Sequence, residues 1–324
     1  MIETQKQELI ALPAGAGAVR LVVVDMDGTL LDGDSKVSPR ALQAIAAAER
    51  AGMHFVIATG RRHSYAMKVL RELPVTPDNV MITSNGAVVR TVDSKLMETT
   101  HLPISTARWL LEHMSEYRNA MVLTFDRVGM DGDDARGALV VEELEDLHRS
   151  IDRWMTVNAP YIEFVRPMER ALEGDAPIQM MICGTVERMR RAEERLLEDP
   201  RVVAVGRPSR PETEVQLART EYPERDLSIV DILPAGCSKG AAVLRFAASQ
   251  GIDPGEMMAI GDNWNDLSML EVVGFPVVME NAPEDFLEVA RTRGWFVGPR
   301  NTEDGVARVV EAVLAARLAG DGRL

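Results

Sequence analysis

The stretch from Leu21 to Asp32, LVVVDMDGTLLD, begins with an apolar run that stops at a carboxylate. Its first four residues are aliphatic, mostly β-branched, and show no alternation of polar and apolar positions. That pattern is typical of a short strand of a parallel sheet that is buried on both faces. Ligands of such sheets bind beyond the carboxyl ends of the strands, so Asp25 and Asp27 mark a candidate site.

Helices and strands alternate outward from this run. A helix is predicted from Ser38, where an N-cap residue precedes a proline, to Arg50. The other predicted segments are strands at 55–58, 80–83, 257–260, 276–279 and 295–297, and helices at 64–71, 239–250, 265–272, 283–291 and 305–317. This succession predicts an α/β fold with a doubly wound, Rossmann-like parallel sheet.

The sequence pattern changes between about residues 89 and 230, where runs of charged residues alternate with short predicted helices and strands. The acidic runs at 131–134 and 142–146 are interpreted as solvated surface. We therefore predict an extension at 1–19, a discontinuous catalytic core at 20–88 and 231–324, and an inserted α/β domain at 89–230.

Composition limits the partners of the protein. Acidic residues outnumber basic ones by 50 to 36, and the formal net charge of −14 argues against nucleic acid or an anionic membrane as partner. Cys183 and Cys237 lack the number and spacing of a disulfide framework or a metal knuckle, which predicts reduced thiols. The sequence has neither a signal-peptide pattern nor a membrane-spanning apolar run, so we expect a cytoplasmic protein.

Polar residues suited to one reaction collect at four predicted strand ends and one helix start. They are Asp25 and Asp27; Thr59, Gly60 and Arg61; Asn85; Asp262, Asn265 and Asp266; and Lys239. Converging carboxylates repel one another unless a cation neutralises them, and an all-oxygen donor set suits Mg²⁺. Lys239 offers a fixed positive charge for an anion, while Thr59 and the backbone near Gly60 offer hydrogen bonds to phosphate oxygens. This set indicates phosphoryl transfer through an aspartyl-phosphate.

Several of these residues also have a purely structural interpretation. Asn85-Gly86 is a common turn dipeptide, and Thr59 before Gly60 suits a turn as well. Arg61 suits a surface salt bridge. The alternatives stay open for these residues, whereas the convergence of carboxylates with Lys239 favours a functional role for Asp25 and Asp27.

In this order, the motifs resemble those of the haloacid dehalogenase superfamily and, more narrowly, of the Cof-like phosphatases, which carry a large α/β cap. The matching segments are DMDGTLL at 25–31, ATGR at 58–61, SNGA at 84–87, SKG at 238–240, GDNWND at 261–266, MENA at 279–282 and DGV at 304–306. The resemblance spans the core but not residues 1–19, and the cap resembles that of the family in its position more than in its amino-acid sequence.

The resemblance implies roles for the acidic residues. Asp25 would attack phosphorus and become phosphorylated, and Asp27 would act as general acid and then general base. Mg²⁺ would be held by Asp25, the carbonyl of Asp27, and Asp262, with Asp266 as a further ligand directly or through water.

The resemblance also implies how the phosphoryl group is bound. Thr59 and Lys239 would grip it, and Asn265 would orient Asp262 or Lys239. Asn85 and Arg61 would contact substrate or phosphate at the rim that faces the cap. The implied activity is hydrolysis of small phosphorylated metabolites, such as sugar phosphates.

Two rival functions remain at this point. A phosphomutase would have to shield its aspartyl-phosphate from water, and its sugar-phosphate ligands in the insert would come from Arg166, Arg188, Arg190 and Arg191, for which surface placement is expected. A receiver-like phosphoacceptor or a non-catalytic sensor would be shorter and would not need Asp27.

Overall fold

The structure is a computed structural model that describes residues 10–129, 132–143 and 152–320. In chain order, the strands of these residues are β1 (Leu21–Val24), β2 (His54–Ala58), β3 (Val80–Thr83), β4 (Val88–Thr91), β5 (Leu96–Thr99), β6 (Met121–Thr124), β7 (Leu139–Val141), β8 (Ile162–Phe164), β9 (Gln179–Gly184), β10 (Val202–Ala204), β11 (Val215–Tyr222), β12 (Leu227–Pro234), β13 (Met257–Gly261), β14 (Phe275–Met279) and β15 (Phe296–Gly298).

The helices alternate with these strands. They are α1 (Pro39–Arg50), α2 (His63–Leu70), α3 (Ile104–His113), α4 (Asp152–Asn158), α5 (Val186–Leu197), α6 (Lys239–Ser249), α7 (Leu267–Leu270), α8 (Glu284–Thr292) and α9 (Gly305–Gly320). No helix in the described part of the chain is both long enough and apolar enough to cross a bilayer.

The first sheet has eight strands in the order β15-β14-β13-β1-β2-β3-β4-β5. Strands β15 to β3 of that order are parallel, and β4 and β5 add an antiparallel edge. Val22 and Val24 pack into one hydrophobic cluster with α1 and α9, whereas Leu21 and Val23 pack into another with α6 and α8. The expected doubly wound sheet, with its first strand buried on both faces, is confirmed.

The second sheet has seven strands in the order β10-β11-β12-β9-β6-β7-β8. Helices α3 and α5 cover one face of it, where they share a hydrophobic cluster with β6, β9 and β12. The strands of this sheet lie between β5 and β13 in sequence, so the sheet is an insertion in the chain of the first one.

The sheet membership of three strands differs from the predicted boundaries at 88/89 and 230/231. Strands β4 and β5 belong to the first sheet, because a tight turn at 84–87 folds β4 back along β3. Strand β12 belongs to the second sheet, because it pairs with β11 over its whole length, so Asp231 lies on the inserted sheet and not in the first one.

Two local predictions also differ from the structure. The helix expected at 265–272 is a short 3-10 turn, Trp264–Asp266, followed by the four-residue α7. In the predicted extension at 1–19, residues 1–9 lie outside the described part. Ile10 and Leu12 pack against the hydrophobic cluster that contains α9, so this segment covers the core.

Candidate active site

Three buried carboxylates meet at the carboxyl ends of β1 and β13. Asp25 follows β1, Asp262 follows β13, and Asp266 comes from the turn after β13. The two strands pair in parallel with Val24 opposite Ile260, so the residues that follow them are neighbours. One carboxylate oxygen of each aspartate lies within 4.8 Å of the others, and all three side chains are buried.

Hydrogen bonds from the protein orient two of these carboxylates. Asp266 Oδ2 accepts the backbone N–H groups of Asp262 and Asn263 at 2.9 and 3.1 Å, which fixes the turn. The Thr29 hydroxyl donates to Asp262 Oδ1 at 2.9 Å. The sequence analysis gave Thr29 no role, although it stands inside the first quoted motif.

Lys239 lies within the cluster as its cationic partner. It is the first residue of α6, which Ser238 caps, and its side chain is buried. Its Nζ donates to Asp25 Oδ1 and to Asp266 Oδ1, both at 2.6 Å. The predicted approach of Lys239 to Asp25 is therefore present in the structure.

The cluster has an excess of negative charge, because its described residues comprise three carboxylates and a single lysine. Burial, followed by the charge of Asp266, raises the pKa of Asp25 to about 7, although Lys239 opposes the shift. Burial and the charge of Asp25 raise the pKa of Asp262 well above its usual value. An all-oxygen, buried and electron-rich donor set of this kind fits a divalent cation such as Mg²⁺, which Asp25, Asp262 and Asp266 would hold.

Gly28 makes room for the carboxylate of Asp262. Its φ is +80°, and a Cβ added there would lie 2.3 Å from Asp262 Oδ2. We expect Gly28→Ala to displace this carboxylate and to weaken Mg²⁺ binding by about tenfold or more, as changes to groups that position ligands do. Isothermal titration of Mg²⁺ into the folded variant measures the loss.

Gly33→Ala is the matched control for Gly28→Ala. It makes the same substitution five positions along the chain, where no atom lies within 4 Å of the added Cβ. This variant should bind Mg²⁺ as the wild type does. Wild-type affinity in Gly28→Ala would remove Asp262 from the ligand set.

Asp27 lies outside the group of three carboxylates and pairs with Arg61. Arg61 Nε donates to Asp27 Oδ2 at 2.7 Å and Nη2 donates to Oδ1 at 2.5 Å, a bidentate pair. The guanidinium also lies over the ring of Tyr65, 4.5 Å from its centroid, and its backbone N–H donates to Thr59 Oγ1 at 3.1 Å. Arg61 is thus an ion-pair partner, but one that lies largely buried beside the site rather than on the surface.

Asn85 connects the two sheets. Its Nδ2 donates to Asp231 Oδ2 at 2.8 Å, and its Oδ1 accepts from Asn265 Nδ2 at 3.4 Å. Gly60 lies against it, since an added Cβ would be 3.2 Å from the Asn85 amide. Asn265 was expected to orient Asp262 or Lys239. The only hydrogen bond recorded for its side chain among the described residues is the one to Asn85.

A cavity of about 210 Å³ lies between the strand ends of the first sheet and the inserted sheet. The first sheet contributes Asp25, Asp27, Thr59, Gly60, Arg61, Arg62, Tyr65, Asn263 and Asn265 to its lining, and the insert contributes Thr124, Leu139, Trp154, Gln179, Met181, Thr220, Tyr222, Ile229 and Asp231. Burial raises the pKa of Asp231 to about 7. Asp231 was not among the residues predicted from the sequence; its signal was a lone acid within β12, where Ser228 is the other polar residue.

Arg62 joins the first sheet's α2 region to the insert. Its guanidinium pairs with Asp134 and donates to Asn158 Oδ1 at 2.5 Å, and Ser64 donates to the same carboxylate. The interpretation of 131–134 as solvated surface is therefore wrong for Asp134, which is buried because these groups neutralise it. In the second acidic run, Glu142 is largely buried and pairs with Arg118, whereas residues 144–146 lie outside the described part.

Comparison with known proteins agrees with this geometry. A family model described as haloacid dehalogenase-like hydrolase matches residues 22–310. The 5-amino-6-(5-phospho-D-ribitylamino)uracil phosphatase YwtE of Bacillus subtilis is 26% identical over 312 residues, which cover 93% of this chain and 100% of that protein. The pyridoxal phosphate phosphatase YbhA of Escherichia coli is 25% identical over 90% of this chain and 97% of its own length.

A solved structure extends the likeness to the fold. BT1666 from Bacteroides thetaiotaomicron, described as a phosphatase of the haloalkanoate enzyme superfamily, superposes with a TM-score of 0.67 at 24% identity. The match covers 94% of this chain and 98% of that one. The two sheets described above therefore form a known arrangement.

Proposed function

The chain belongs to the haloacid dehalogenase-like hydrolases, and from this premise we propose that it is a Mg²⁺-dependent phosphatase of small phosphorylated metabolites. The observation that carries the proposal is the position of Asp25. This carboxylate contacts Lys239, lies among two further buried carboxylates, and borders the cavity beneath the inserted sheet.

The proposed reaction passes through an aspartyl-phosphate. A carboxylate oxygen of Asp25 attacks phosphorus as the bond to the ester oxygen breaks, and Asp27 gives its proton to the departing alkoxide. Asp27 then takes a proton from water, which attacks phosphorus and releases inorganic phosphate and free Asp25. Asp25, Asp262 and Asp266 would hold Mg²⁺, which would supply positive charge next to the phosphoryl oxygens.

The neighbouring residues have positioning roles in this proposal. Lys239 holds Asp25 through its 2.6 Å contact and supplies positive charge next to the incoming phosphate. Arg61 keeps the Asp27 carboxylate at the cavity wall, and Thr59 and Gly60 line the same wall. Asn85 and Asn265 would bind the substrate at the side of the cavity where the insert meets the first sheet.

We further propose that the insert acts as a cap. It supplies half of the cavity lining, so the reacting phosphate is shielded from bulk water only while the insert rests on the first sheet. The contacts of Arg62 with Asp134 and of Asn85 with Asp231 hold the two parts together. The division into core and cap follows the sheets rather than the predicted residue boundaries.

The arginines of the insert favour a phosphatase over a phosphomutase. A mutase must bind a second phosphate of its bisphosphorylated intermediate, which requires cations on the cap side. Arg166, Arg190 and Arg191 are more than half exposed and pair with glutamates, and Arg188 lies over the ring of Tyr117. None of the four lines the cavity.

Phosphate release from a panel of phosphorylated metabolites tests the proposed function. We expect release in excess Mg²⁺ to fall to background when a chelator is added, because the acidic cluster would lose the cation that neutralises it. The panel should include the phosphoribitylaminouracil and pyridoxal phosphate esters named for the relatives. Release that persists unchanged in chelator would refute the metal dependence.

A further inference from the structure

In the part of the chain that the structure describes, two buried amide oxygens of the cavity wall lack donors, and the Asp231 carboxylate near them has a single one. Gln179 Oε1 and Asn265 Oδ1 have no hydrogen-bond partner among the described residues. Asp231 Oδ2 accepts only from Asn85, and no hydrogen bond to its Oδ1 is recorded in the described part of the chain. All three side chains are at least nine-tenths buried. Buried acceptors without donors are costly, so these atoms point to a ligand rich in donors.

The strand register brings two of these acceptors onto one face. Asp231 lies opposite Met181 in the β12–β9 ladder, and Gln179 stands two residues before Met181 on β9. Side chains two apart on a strand share a face, and diagonal neighbours on adjacent strands lie about 7–8 Å apart. Gln179 and Asp231 therefore bracket a space that one polar group of a ligand can bridge.

On the insert side, the charge that borders this space is negative. Of the insert residues that line the cavity in the described part of the chain, none is a lysine, arginine or histidine, and Asp231 is the carboxylate among them. The two arginines of the wall come from the other side, where Arg61 pairs with Asp27 and Arg62 with Asp134. The charge of Lys239 reaches Asp231, but this lysine is already paired with Asp25 and Asp266. A second anionic group on a substrate would therefore meet Asp231 with no cation from the described part of the insert to offset it.

We propose, building on the proposed function, that the leaving group carries an ammonium group that pairs with Asp231 and donates to Gln179, and that leaving groups with a second anion are rejected. An ammonium group offers three donors and a full positive charge, which matches a carboxylate and an amide oxygen together. A hydroxyl in the same place offers one donor and leaves the buried carboxylate without a counter-charge.

The size and the remaining lining limit the rest of the leaving group. The cavity of about 210 Å³ has the apolar side chains of Trp154, Met181 and Ile229 beside Asp231 and Gln179. The substrate class is therefore a compact phosphate monoester with an amine at one end and an apolar or planar surface beside it.

The test uses two sets of matched esters that differ in one group. The first set is phosphoethanolamine, 2-hydroxyethyl phosphate and phosphoglycolate, and the second is the pair glucosamine 6-phosphate and glucose 6-phosphate, so that the carboxylate comparison is left to the first set. Isothermal titration into Mg²⁺-loaded Asp25→Asn protein, which cannot turn over, gives their affinities. In at least one set we expect the amine to bind tenfold or more tightly than the alcohol, and in the first set we expect the carboxylate to bind more weakly than both.

Variants of the insert assign the preference to Asp231. In the same background, Asp231→Asn keeps the shape of the side chain and should reduce the amine-to-alcohol affinity ratio to about three or less, since the charge pair is lost. Gln179→Glu adds a second carboxylate to the same face and should raise the ratio. Glu224→Gln removes one negative charge from an exposed residue outside the cavity and should leave the ratio unchanged.

The outcomes separate this inference from the proposed function. Equal affinities for amine and alcohol in both sets, or tighter binding of the carboxylate in the first set, would overturn the inference even if wild-type protein hydrolyses p-nitrophenyl phosphate. A ratio that survives Asp231→Asn would overturn the role of this residue. Absence of phosphate release by the wild type from all of these esters and from p-nitrophenyl phosphate would overturn the phosphatase, while the affinity order would still decide the ligand.

Discussion

Asp25→Asn should abolish phosphate release, with an expected loss of about 10⁴-fold or more, the size seen when a central group of a catalytic constellation is removed. The amide is not a nucleophile toward phosphorus, and it offers a weaker ligand to the metal. The variant keeps its fold because Lys239 retains its 2.6 Å contact with Asp266. Phosphate release and circular dichroism on the same preparation measure both parts of the expectation.

The matched control for this substitution is Asp34→Asn. Asp34 is exposed and lies outside the cavity, so the same chemical change there should leave turnover unchanged. Mass spectrometry must show that the Asp25→Asn preparation is free of the deamidated form. Substantial activity in folded, fully amidated protein would refute the assignment of Asp25 as nucleophile.

Lys239→Met destabilises the metal-free protein by about 3–5 kcal/mol, the usual effect of removing one partner of a buried ion pair. Its loss leaves Asp25 and Asp266 buried without their shared cation, so their mutual repulsion is unopposed. Excess Mg²⁺ should restore part of the lost stability, because the divalent ion neutralises the same carboxylates. Urea unfolding in chelator and in Mg²⁺ gives the free energies of unfolding.

The pH dependence of this effect has a definite sign. Burial already raises the pKa of Asp25 to about 7 in the wild type, so the folded protein favours its protonated form. A folded-state pKa above the unfolded value means that stability declines as the pH rises from the unfolded pKa to the folded one. Removal of the lysine raises this pKa further, so the deficit of Lys239→Met should be larger at pH 8 than at pH 6.

Lys95→Met provides the comparison for Lys239→Met. Lys95 is exposed, and its replacement should change the free energy of unfolding by less than about 0.5 kcal/mol. If Lys239→Met in chelator is as stable as this control, the buried carboxylates do not depend on the lysine, and the electrostatic account of the cluster is wrong.

The part of the site that the sequence predicts is the part built from strand ends. Asp25 and Asp262 directly follow β1 and β13, which are parallel neighbours, so local sequence and sheet topology together bring them into contact. Lys239 is placed by the start of α6. Ser238 caps this helix as Ser38 caps α1, so the position of the lysine depends on a short local pattern. Such positions depend on short stretches of chain, which is why the pattern of residues is enough.

The part that the sequence does not predict depends on how the insert faces the first sheet. Gln179 and Asp231 become site residues because one face of the second sheet closes the cavity, and no local pattern states which face that is. Asp134 shows the same limit. Its acidic run predicts a solvated side chain, whereas in the fold Arg62 and Ser64, which are distant in sequence, contact it. The boundary predicted at 88/89 differs from the observed end of the first sheet for a related reason. A hairpin at a sheet edge has the same composition as the start of an insertion.

The two connections between the sheets run side by side. Thr100 donates its backbone N–H to Ala87 at the exit from the first sheet, and Ala87 and Cys237 share one small apolar cluster at the return. None of the described residues between 100 and 234 belongs to a strand of the eight-stranded sheet. We therefore expect that residues 100–234 can be exchanged as one segment without removing a strand of the eight-stranded sheet.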